Sequence, residues 1–130
     1  MSFECLKGQT LLPPKYKNLK NIKHLWVILN DPFGPGEEVV VINFTTMNTY
    51  SDTTVVLQNG DHDYIDHQTV VSYIDAKIRK KCDLMLLVKQ GIVAENSPVS
   101  PQLLKRLQDG LGDSPHTKHG IFEFWERLPT

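Results

Sequence analysis

The chain has little cysteine, few arginines, almost no net charge and no long apolar run, and each shortage excludes a class of protein. Two cysteines, Cys5 and Cys82, with no CxxC spacing, supply neither a disulfide framework nor a zinc site. They read as reduced thiols in a cytoplasmic protein. Glu4 and the lack of an apolar core at the N-terminus argue against a secretory signal, and no stretch approaches the roughly 18 apolar residues of a membrane span, so no membrane partner is expected. Lys and Arg number 14 against 15 Asp and Glu, a formal charge of −1, which argues against coating duplex nucleic acid through bulk charge. No internal repeat or low-complexity tract is visible.

What remains is an ordinary single-domain composition: 130 residues, 40% of them hydrophobic, enough to bury one core without disulfides or metal. One domain over 1–130 is expected. Residues 1–23 carry Pro13-Pro14, which disfavour regular structure, and a basic segment of Lys15, Lys17, Lys20 and Lys23 around Tyr16; they read as an extended N-terminal arm. His24 to Asn30 is nearly continuous in β-branched, aromatic and aliphatic residues, as a strand buried on both faces would be. Asp31 to Gly36 holds two prolines and two glycines and enforces a loop. Glu37 to Phe44 follows as a second strand, closed by Thr45-Thr46, and Thr53 to Leu57 as a third, closed by Asn59-Gly60.

The run Thr69 to Ile78 fits a helical face or one side of a strand, and its β-branched content favours strand. Asp83 to Lys89 reads as a short helix stopped by Gly91. Ser100 as N-cap, Pro101 at the first helical position and the face Leu103, Leu104, Leu107, Leu111 mark the clearest helix, with Gly110 and Gly112 to end it. Asp113 to His119 reads as a loop, and the tail 112–130, with Phe122, Phe124 and Trp125, as docked on the body, either as a strand or as a helix. Trp26 and Trp125 read as core. Short strands with frequent turns, then a capped helix, predict an α+β fold: a small, strongly curved β-barrel decorated with short helices, spanning 24–111.

The distinctive chemistry is concentrated in Gly60-Asp61-His62-Asp63-Tyr64-Ile65-Asp66-His67, between Val55-Val56-Leu57 and Val70-Val71. Two imidazoles can act as base and acid, and Asp61 or Asp66 can orient one of them. His62 and His67 share neither a strand face nor a helical face, but a turn can bring both to one pocket. Lys77 and the run Arg79-Lys80-Lys81 can hold phosphate. A second reading of the cluster is a corner whose Asp side chains cap their own backbone while Tyr64 and Ile65 go inward. A metal reading is weakest: Asp61, His62, Asp63 and His67 are legitimate ligands, but their spacing matches neither HExxH nor a calcium loop. No metal or cofactor is expected.

The first strand ending in Asp31-Pro32, the second reading Val39-Val40-Val41-Ile42-Asn43-Phe44-Thr45-Thr46, the segment Val70 to Ile78 and the terminal helix together resemble the PemK/MazF-like toxins. That resemblance implies an SH3-like barrel that cleaves single-stranded RNA without metal, as a homodimer opposed by an antitoxin protein, with Thr45 as the active-site threonine. The family's arginine between the first two strands has no counterpart in Asp31 to Glu38, since Arg79, Arg106 and Arg127 are the chain's only arginines. With the residue-level reading, the expected catalytic set is Thr45, Asp61, His62 and His67, and the expected substrate-binding set Thr46, Tyr64, Lys77 and Arg79. The alternative is a non-catalytic SH3-like barrel that binds a protein or nucleic-acid partner.

Overall fold

A computed structural model describes residues 3–12 and 24–129. Seven strands alternate with three α-helices and one 3₁₀ turn: β1 (Thr10–Leu12), β2 (Trp26–Ile28), β3 (Glu38–Thr46), β4 (Val56–Leu57), β5 (Thr69–Val71), the 3₁₀ turn Tyr73–Asp75, β6 (Lys77–Lys80), α1 (Lys81–Lys89), β7 (Ala94–Asn96), α2 (Pro101–Asp113) and α3 (His119–Arg127). The long strand β3 organises them. One edge pairs with β2 (Trp26 opposite Asn43); the other pairs with β6 through Val39–Val41 and with β5 through Phe44–Thr46, all antiparallel. β5 and β6 share that edge because the Thr69 to Ile78 run is two strands, not one, broken by the turn at Tyr73.

The expected barrel is not formed. The sheet follows the order β4-β5-β3-β2-β1-β7 with β6 beside β3, and its outer strands β4 and β7 do not meet among the described residues. The physical reason is that both faces already have covers. Val40, Ile42 and Phe44 of β3 pack with Val27, Leu103, Leu107, Leu111, Ile121 and Phe124, so α2 and α3 bury one face. Val39 and Val41 pack with Ile28, Leu84, Phe3 and Cys5, so α1 and the N-terminal segment bury part of the other. A sheet buried on both sides has no apolar interior left to enclose by closing on itself. The fold is an open-sheet α+β arrangement.

The N-terminal segment is built in, not an arm. Leu11 is fully buried, β1 lies between β2 and β7, and Phe3 and Cys5 are core; burial pushes the Cys5 thiol up to about 11. Residues 13–23, with the basic segment expected there, lie outside the described residues. Ser100 caps α2, its hydroxyl accepting from the Leu103 N–H at 3.1 Å. Gly110 and Gly112 do not end that helix, which runs to Asp113. Gly110 is there for close approach: a Cβ would sit 2.1 Å from the Tyr73 phenol oxygen, whose O–H donates to the Leu107 carbonyl at 2.8 Å. The tail is helical, and α3 docks by Ile121 and by Phe124, whose ring meets Phe33 edge-on at 6.0 Å.

Candidate functional site

The polar cluster divides into two halves with different surroundings. In the first, Gly60 (φ +104°) makes the turn that Asp61 closes, its carboxylate accepting from the Gln58 N–H at 2.8 Å and facing Arg106 of α2 at 3.6 Å. Arg106 also donates to the Val56 carbonyl at 3.0 Å. His62 is buried, with its Nε2 2.7 Å from the Ser97 carbonyl and its Nδ1 accepting from the Tyr64 N–H at 3.0 Å. A carbonyl on one side and an N–H on the other specify the neutral tautomer with the proton on Nε2. The same Ser97 carbonyl accepts from the buried Thr10 hydroxyl at 2.7 Å, so His62 ties the turn to β1 and to the chain after β7. Asp63 adds a 3.3 Å contact from the Ser97 hydroxyl, and Ile65 is core.

The second half faces solvent. The His67 side chain is 55% exposed and pairs through Nδ1 with the Asp66 carboxylate, while its Nε2 stands 3.0 Å from the Thr46 hydroxyl. The hydrogen bond and charge of His67 hold the Asp66 carboxyl below its usual range. With Nδ1–H donated to a carboxylate, the neutral imidazole presents its Nε2 lone pair to Thr46, giving a carboxylate–imidazole–hydroxyl chain of the type that activates a hydroxyl. β3 and β5 position it: Thr46 lies opposite Thr69, whose hydroxyl donates to the His67 carbonyl at 2.9 Å.

This chain opens on a recess of about 170 Å³ whose lining includes His24, Thr45, Thr46, Tyr64 and His67. Burial raises the Tyr64 phenol, a backbone hydrogen bond from Leu25 partly offsets this, and the Asp66 charge adds to the rise; Tyr64 keeps its proton at neutral pH. Of the residues expected from the sequence, Thr45, Thr46, Tyr64 and His67 therefore share one recess. Asp61 and His62 do not line it; they hold the corner. Lys77 and Arg79 lie opposite Val41 and Val39 on β6, lining a separate recess with Val41 and Asn43, away from the Phe44 and Thr46 positions of β3.

Sequence reasoning used His24 only as the start of a strand. Its signal was the β2–β3 register: extending the Trp26–Asn43 pairing by two residues sets His24 opposite Thr45. A larger groove of about 590 Å³ along α1, lined by Phe3, Met85, Leu86 and Val88, is apolar and has no imidazole. No group of three or more His, Cys, Asp or Glu among the described residues is placed to hold a metal ion, and no helix among them is long and apolar enough to cross a membrane. Comparison with family models, with curated proteins and with solved structures finds no match for the chain.

Proposed function

We propose that the chain is a toxin-like endoribonuclease that cleaves single-stranded RNA by metal-independent transesterification in the recess at His67. The observation that carries this is the Asp66–His67–Thr46 chain, solvent-facing and beside Thr45. His67 Nε2 takes the proton of a ribose 2′-hydroxyl, the 2′-oxygen bonds to the adjacent phosphorus, and the bond from phosphorus to the 5′-oxygen breaks. The leaving oxygen takes a proton from His24, the second imidazole of the recess, and the proton-bearing Tyr64 phenol donates to charge on the phosphate. The products are a 2′,3′-cyclic phosphate and a 5′-hydroxyl. Kinship with the PemK/MazF-like toxins belongs to this proposal and rests on the apolar strand running into Thr45-Thr46 and on the order of parts. An antitoxin partner, a homodimer and a cytoplasmic setting follow from that kinship.

The test is a mixed-sequence RNA incubated with purified protein in the presence of a chelator. Wild type is expected to produce cyclic-phosphate ends, and His67→Ala to leave the RNA whole while unfolding at the same temperature. Intact RNA with wild type, or equal cleavage by the variant, defeats the proposal. A non-catalytic nucleic-acid-binding module is the second reading, favoured by the placement of Lys77 and Arg79 away from the His67 recess. It predicts RNA binding without turnover, unaltered by His67→Ala.

A further inference from the structure

The α1-facing side of the sheet is only partly covered. Where α1 ends its cover, a recess of about 60 Å³ is lined by Trp26, Asn43, Asp75, Lys77 and Arg79 among others. A space of that size admits the edge of a planar ring or about two waters. Its polar groups are unusual for a sheet surface. The Asn43 Oδ1 is enclosed and has no hydrogen-bond partner among the described residues, although a buried acceptor calls for a donor. Asp75 is held beside it, accepting from the Ser72 hydroxyl at 2.6 Å. Lys77 and Arg79 are exposed on β6, and neither makes an ion pair among the described residues. Trp26 is half-buried against the α1-side core and sits opposite Asn43.

We infer that this recess is a binding site for an unpaired guanine in a single strand. Two acceptors, the Asn43 amide oxygen and the Asp75 carboxylate, match a base edge that offers adjacent N–H donors, and guanine presents N1–H and the N2 amino group side by side. Trp26 supplies a face for stacking, and Lys77 and Arg79 receive the flanking phosphates as solvated cations. Uracil and cytosine bring fewer or differently spaced donors. An acidic peptide would satisfy the two cations but would leave Asn43 unpaired and meet the Asp75 charge. The site is distinct from the His67 recess, and the inference does not depend on cleavage there.

The test uses fluorescently labelled 2′-O-methyl octamers, one all-uridine and one with a single central guanosine; these cannot undergo attack by the 2′-oxygen, so binding is read without cleavage. Anisotropy with the wild-type chain at low salt is expected to show the guanosine octamer bound about tenfold more tightly. Asn43→Ser should remove that preference while leaving all-uridine binding in place. The double variant K77E/R79E should weaken both octamers and flatten the salt dependence by roughly 0.7 in log–log slope for each lost phosphate contact, whereas Lys105→Glu, on α2, should change neither. Equal affinity for the two octamers, no binding of either, or binding untouched by K77E/R79E would overturn the inference, as would tighter binding of an acidic peptide. If octamers bind as described but RNA is not cleaved, only the catalytic proposal fails.

Discussion

His62 and His67 come from one eight-residue stretch and have opposite surroundings. His62 is buried, with both ring nitrogens committed to backbone groups, so its imidazole acts as a tie between the Gly60 turn and the Ser97 segment. His67 is half-exposed, its nitrogens committed to side chains, a carboxylate behind and a hydroxyl in front. Backbone partners lock an imidazole in one state; side-chain partners at an open recess leave it able to exchange protons. The same residue type thus serves stability in one place and reactivity in the other, and its partners decide which.

The largest effect expected from this difference is on turnover. His67→Ala should lower RNA cleavage by about 10²–10⁴-fold, with unfolding free energy within about 0.5 kcal/mol of wild type, read from single-turnover cleavage and urea melts on the same preparation. His62→Ala should show the reverse. Leaving the Tyr64 N–H and the Ser97 carbonyl short of a buried partner should cost roughly 2–4 kcal/mol, while the fraction that stays folded cleaves at the wild-type rate.

Asp66→Asn sharpens the contrast on the reactive side. With an amide in place of the carboxylate the imidazole loses its orienting charge, and cleavage should fall roughly tenfold to a hundredfold, with the melt unchanged because Asp66 is fully exposed. A carboxylate of the structural kind is Asp52. Burial pushes its carboxyl up, but hydrogen bonds from the Ser114 hydroxyl at 2.6 Å and from Thr54 outweigh this and hold it below its ordinary 3.8. Its folded value being the lower one, the stability it contributes is present above pH 3.8 and is lost as pH falls through the folded value. Asp52→Asn should therefore flatten the acid limb of stability against pH, whereas Asp66→Asn should act on cleavage. The smallest expected effect is that of Thr46→Val, which removes one neutral hydrogen bond to His67 and should slow cleavage about two- to tenfold.

Much of the fold was legible and its closure was not. The apolar runs around Trp26 and Val40 and the Ser100-Pro101 cap announce β2, β3 and α2 through local signals. β1 is three residues ahead of Pro13-Pro14, and β7 is Ala-Glu-Asn, with no strand propensity at all; both form because neighbours supply hydrogen bonds. Alternation cannot say whether a curved sheet closes, since that depends on which helices cover it, and α1 and α2 cover opposite faces. At the site, residue types and the sharing of one cleft by Thr45 and His67 were readable as possibilities. The roles of the two histidines were not, because His62 is claimed by a carbonyl 35 positions away and His24 joins the recess only through the β2–β3 register.

Cleavage and stability measured together on His62→Ala and His67→Ala test the division of labour most directly. The expected result is a crossed pattern: the first variant destabilised but active when folded, the second as stable as wild type but inactive. Two variants that lose activity only in proportion to their loss of fold, or an inactive folded His62→Ala beside an active His67→Ala, would contradict it.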